Sequence, residues 1–116
     1  MSRASGDPNY KVYFWVNDNG KKPVAEWMKQ LPVKDRMYLV GLLRDLAYDG
    51  PPGRPGCFKH LDGSLWEIRD LRKGPGYRIY FGFDGEVICI VLHSGKKNSQ
   101  ARDISLAKDR LKKLEE

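Results

Sequence analysis

Residues 64–103 read SLWEIRDLRKGPGYRIYFGFDGEVICIVLHSGKKNSQARD. Three strand-like runs, at 65–71, 77–83 and 87–93, are followed by a basic turn that leads into a helix. Asp84-Gly85 lies between alternating apolar runs, the strongest short-range signal for a two-residue hairpin, and sets residue 83 opposite 86. On that register Tyr77, Ile79, Phe81 and Phe83 pair with Leu92, Ile90, Ile88 and Glu86 on a core face. Arg78 and Tyr80 point the other way, opposite Val91 and Cys89. His93, Glu67 and Arg69 share their side if Trp66 and Ile68 face the core. The expectation is a polar, basic sheet face on which Arg78 stands clear of the core.

Working outward, 116 residues suffice for one domain with one core. A net charge of +6 and a pI near 9.4 favour a polyanionic partner such as nucleic acid, an anionic surface or an acidic protein. Of the two cysteines, Cys57 falls in a loop and Cys89 in a strand. Neither stands in a metal-ligand or redox pair, which points to reduced thiols and the cytoplasm. No apolar run reaches the roughly 18 residues of a membrane span, and the first residues lack the apolar stretch of a secretion signal.

Residues 1–9 read as a mobile tail and 10–116 as a single domain. Tyr10–Val16 has strand propensity and is closed by a turn at 17–20. Pro23 suits the first position of a helix with Val24, Trp27, Met28 and Leu31 on one stripe, ending near Pro32. A second helix, 33–48, buries Leu39, Leu42, Leu43 and Leu46, and DGPPGRPG at 49–56 stops it and crosses to the sheet. The chain ends in a helix at 101–114 with Ile104, Ala107, Leu111 and Leu114 on one side and Asn98 or Ser99 able to cap it. Strand, helical hairpin, an antiparallel sheet of three further strands and a last helix make an α+β fold.

Among the constellations, Gly74-Pro75-Gly76 opens a strand rather than a helix and reads as a turn, not a phosphate loop. His60 and His93 titrate near neutral pH when unperturbed; His93, at a strand end beside Gly95, is the better acid/base candidate. Lys96 and Lys97 are either a solvated pair or, before a helix and near Arg78 and Arg69, part of a phosphate site. Tyr80 is the one aromatic on the basic side. There is no metal cluster, nucleophile triad or cofactor motif. A cleft of Arg, Lys, Tyr and His suits RNA cleavage, because the 2′-hydroxyl is its own nucleophile. The protein then orients the backbone, moves protons and stabilises charge on phosphorus.

SLWEIR, GPGYRIYF and VLHSGKKNSQARDISLAKDRL resemble the RelE/ParE superfamily of toxins of bacterial toxin–antitoxin modules, most closely the HigB-like addiction module killer protein branch. The resemblance runs from about residue 22 to 112. It implies a RelE-like fold, a cognate antitoxin, itself DNA-binding, and metal-independent cleavage of mRNA in the ribosomal A site without a cofactor. By position, Arg78 corresponds to the arginine that contacts the scissile phosphate and Lys97 to a basic residue after the last strand. Arg69 and Glu67 stand where RelE uses lysines, and Lys96, Lys73 and Arg72 extend the RNA-binding set. RelE carries a tyrosine where this chain has Asp103, which leaves Asp103, His93 or Tyr80 as general base. ParE-like members share the fold and inhibit DNA gyrase by protein contact, so that target and a non-enzymatic basic module are the alternatives.

Overall fold

The computed structural model describes residues 6–51 and 54–116. The elements run β1 (Lys11–Phe14), α1 (Pro23–Lys29), α2 (Val33–Asp49), β2 (Phe58–Asp62), β3 (Leu65–Arg69), β4 (Tyr77–Asp84), β5 (Ile88–Lys96), a 3-10 turn (Lys97–Ser99) and α3 (Gln100–Glu115). Pro23 opens α1 with its preset φ, and Pro32 separates α1 from α2. The expected tail at 1–9 falls partly on residues 1–5, outside those described, as do residues 52 and 53 of the crossover. Asn9, at its end, is tied to the domain: its Nδ2 donates to the Tyr48 carbonyl at 2.7 Å.

Five strands form one sheet in the order β1-β5-β4-β3-β2, with β1 parallel to β5 and the other pairs antiparallel. The sheet therefore has four strands after the helical hairpin, not three, and is mixed. β2 escapes a sequence reading because only Phe58 of FKHLD is buried and Leu61 is half-buried. Asp62-Gly63 carried a usable signal: it begins the tight turn that pairs Asp62 with Leu65.

The β4–β5 register also departs from expectation. Asp84 pairs with Ile88, so the loop is Gly85-Glu86-Val87, three residues rather than two. Phe83 and Phe81 then lie opposite Cys89 and Val91, and Gly82 opposite Ile90. The longer loop reverses the parity of β5, because side chains alternate with a period of two. Val91 and Cys89 go to the core face of Phe81, while Leu92 packs with Tyr80. A bulge between Tyr80 and Phe81 absorbs one residue and brings His93 opposite Tyr80. His93 thus shares the face of Arg78 through a bulge that the sequence does not announce.

Both faces of the sheet are covered. Leu39, Leu42 and Leu46 of α2, with Val24 and Met28 of α1, pack on Ile68, Ile79, Phe81, Cys89 and Val91. Ala107 and Leu111 of α3 pack on Leu65, Tyr80 and Leu92, with Ile104 and Leu114 at the margin. The face of Arg78 is consequently roofed by α3, and Tyr80 is fully buried. Ser99 precedes α3 but makes no side-chain cap; its Oγ donates instead to Asp103 Oδ2 at 2.5 Å.

Candidate functional site

Three adjacent strands set a small grid on the α3 side of the sheet. Glu67, Tyr80 and His93 stand opposite one another in one row, and Arg69, Arg78 and Gly95 in the next. Directly opposed residues in a sheet have Cβ atoms about 5 Å apart, close enough for their side chains to interact. Gly95 contributes no side chain, and the Asp103 carboxylate from α3 fills that space; a Cβ on Gly95 would strike Asp103 Oδ2. The grid thus sets Arg69 and Arg78 beside the Glu67 and Asp103 carboxylates.

Glu67 is its hub. The side chain is completely buried, accepting from Arg69 Nε at 2.8 Å and from Gln100 Nε2 at 2.6 Å, with Arg78 Nε 3.8 Å away. A buried carboxylate needs its charge balanced and its lone pairs occupied, and these partners do both. Gln100 was not among the residues singled out from the sequence. Its place in the first turn of α3, facing the sheet, becomes visible only with the helix docked.

Arg78 is 8% exposed. Its Nη1 donates to the carbonyls of Gly76 and Tyr77, both at 3.2 Å, which aims the guanidinium, while Nε lacks a hydrogen-bond partner. A buried donor left open in a cationic site is suited to an anion's oxygen. Lys97 sits beside it. Gly76, at φ +67°, is closely packed: a Cβ would approach Lys97 Cβ to 3.0 Å, with Arg78 Nη1 at 3.6 Å. The turn glycine therefore lets the strand arginine and the lysine after β5 meet.

His93 and Asp103 form a second centre. His93 Nε2 lies 2.8 Å from Asp103 Oδ1, and Arg110 Nη1 lies 2.6 Å from the Leu92 carbonyl and 3.4 Å from His93 Nδ1. A guanidinium can only donate, so Nδ1 accepts and the ring hydrogen sits on Nε2, directed at Asp103. Arg110 thus clamps the bulge and selects the tautomer; the sequence reading missed it, because its partners exist only once the bulge forms.

Tyr80 lies between the two centres. Burial pushes its phenol far above the ordinary range, and the Glu67 and Asp103 carboxylates add to the rise. The hydroxyl has no hydrogen-bond partner at normal distance, although Glu67 is near enough to act on it electrostatically. A phenol raised in this way holds its proton and can donate it in a hydrogen bond.

The remaining predicted residues divide by location. Lys96 and Lys73 are exposed, Lys96 opposite Tyr77 at the end of β5 and Lys73 in the β3–β4 loop. Arg72 is directed elsewhere: its guanidinium bonds Asp70 and Asp35 at 2.9–3.1 Å and covers the Tyr38 ring at 4.0 Å. It ties the loop after β3 to α2. His60, on β2, donates from Nε2 to the Gly63 carbonyl at 2.6 Å and leans on Trp66, away from the grid. Among the described residues no cluster of His, Cys, Asp and Glu is disposed to hold a metal ion, and no helix is long and apolar enough to cross a membrane.

The fold and grid define a small, basic α+β protein whose charged groups gather under the first turn of its last helix. The family model described as Phage derived protein Gp49-like (DUF891) matches residues 26–112, from α1 through α3 and including every grid position. The chain belongs to that family, one of the families of addiction-module killer, RelE-like toxins. A Haemophilus influenzae protein described only as uncharacterized is 36% identical over 56 residues, 48% of this chain and 56% of that protein. The chain therefore spans a little over half the length of that relative.

Proposed function

We propose that the protein is the toxin of a toxin–antitoxin pair of the HigB-like kind and cleaves mRNA on the ribosome. The observation that carries this reading is the buried Arg78, whose Nε pairs loosely with Glu67 at 3.8 Å and has no hydrogen-bond partner, with Lys97 beside it. Two neighbouring cationic residues suit a phosphodiester whose charge grows in the transition state.

In the proposed reaction the RNA 2′-oxygen bonds to phosphorus while the bond to the 5′-oxygen breaks. The products are a 2′,3′-cyclic phosphate and a free 5′-hydroxyl. The 2′-hydroxyl proton passes to the Asp103–His93 pair, whose ring is oriented by Arg110. Arg78 and Arg69 hold the non-bridging oxygens, and the Lys97 ammonium gives its proton to the leaving oxygen. Glu67 acts through Arg69 and Arg78 as a positioning residue, fixed in turn by Gln100. The antitoxin, the ribosome and mRNA are the partners this reading requires.

The test is induction in cells followed by mapping of RNA ends. Cuts within translated reading frames that disappear with Arg78→Ala support the proposal. Growth arrest with intact mRNA and a DNA-damage response would replace it with gyrase inhibition.

A further inference from the structure

The sheet's other side carries a feature that the cleavage site does not use. Between β1, α1 and α2 runs an open groove of about 480 Å³, floored by Val12, Phe14, Met28 and Leu43. Val33, Met37 and Val40 continue its apolar surface along α2 at i, i+4 and i+7, exposed by 58%, 67% and 50%. Adjacent exposed side chains of this kind on one helix make a contiguous stripe, which small soluble proteins seldom leave uncovered.

The rim has one sign of charge. Lys29, Arg36 and Arg44 border the groove, and no carboxylate lines it among the described residues. Lys29 makes a loose, solvent-exposed pair with Glu26 at 3.6 Å, and Arg36 and Arg44 form no ion pair among the described residues. We infer that this groove docks an amphipathic helix from a different protein, apolar on one face and acidic on its flanks. An apolar floor with a cationic rim attracts such a helix from a distance and then buries its apolar face. Val33 to Arg44 spans about 16 Å at helical rise, the length of roughly three turns of the incoming helix. A second copy of this chain is the wrong occupant, because a molecule of charge +6 would bring a like-charged rim to the groove. Nucleic acid is also disfavoured, since the floor is mostly apolar and, among the described residues that line it, Phe14 is the one aromatic on which a base could stack.

The inference stands apart from the nuclease reading, because the groove and the grid lie on opposite faces of one sheet. A helix seated in the groove leaves Arg78 and Lys97 uncovered.

The test uses the full chain and three labelled synthetic peptides of about 16 residues. One has leucines at i, i+3, i+4 and i+7 with glutamates between them, one replaces glutamate by lysine, and one scrambles the first. Fluorescence anisotropy at about 50 mM salt should show the acidic amphipathic peptide binding at least about tenfold more tightly than either control. Val40→Asp and Arg36→Glu, both at surface positions, should each weaken it by about tenfold or more, while Arg78→Ala leaves it unchanged. Equal binding of the scrambled or basic peptide overturns the inference, as does absence of binding. Loss of binding in Arg78→Ala places the peptide on the grid and overturns it too. Self-association of the chain abolished by Val40→Asp would give the groove to a second copy instead, and displacement of the peptide by an RNA oligonucleotide that Arg36→Glu weakens would give it to nucleic acid.

Discussion

Gly95 and Asp103 share one position in space: the absent side chain of the strand glycine is the room in which the helix carboxylate sits. That substitution of a carboxylate from α3 for a side chain on β5 completes the charged grid beside Arg78, and it links the stability of α3 docking to the composition of the site.

Gly95→Ala should therefore destabilise the fold by about 1–3 kcal/mol through overpacking. In an Asp103→Ala background the same change should cost at least about 1 kcal/mol less, since residues sharing a cavity are not additive. Chemical denaturation of the four proteins measures the coupling. Simple additivity would show that the two residues do not compete for space.

Arg78→Ala should reduce RNA cleavage about a hundredfold or more, the scale for one lost transition-state donor. The sequence alone suggests a free surface residue; its burial beside Glu67 predicts in addition a stability loss of about 1–3 kcal/mol. Removing the stranded charge with Glu67→Gln should restore part of that stability without restoring activity. If the double variant melts below Arg78→Ala, Glu67 is not balanced by Arg78.

Leu92→Ala and Ile79→Ala, on opposite faces of the sheet and both fully buried, should each cost about 2–5 kcal/mol. Thermal melting compares them. A cost below about 1 kcal/mol for Leu92→Ala would mean that α3 does not close a second core over the grid, since a buried leucine truncated to alanine costs about 2 kcal/mol or more.

Stability should fall in acid through Asp70. Burial alone would raise its carboxyl, but hydrogen bonds and charge from Arg72 outweigh that and hold it below the usual carboxylate range. A depressed folded pKa means that the unfolded chain binds the proton more readily, so stability rises with pH across this window. The contribution is present above about pH 4 and is lost as pH falls through the folded value. Urea melts between about pH 5 and pH 2 should show a shallower slope for Asp70→Asn; an unchanged slope would remove Asp70 as the source.

The sequence by itself determined the order of most elements, because local signals act over a few residues: Pro23 and the stripe Val24, Trp27, Met28 place α1, and Leu39, Leu42, Leu43 and Leu46 place α2 with its buried face. It also placed Glu67, Arg69, Arg78 and Tyr80 on one side of the sheet, since period-two alternation needs only each strand to be read correctly, whereas His93 reaches that side through the bulge. What it did not determine was whether that side is open, since an alternating strand looks the same under water and under a helix. Docking of α3 buried Tyr80 and Glu67 and brought Gln100, Asp103 and Arg110 to the grid. Strand register belonged to the tertiary structure as well. The three-residue loop at 85–87 and the bulge at Leu92 are chosen by which pairing fills both cores at once, a condition that α1, α2 and α3 impose together and that no local dipeptide encodes.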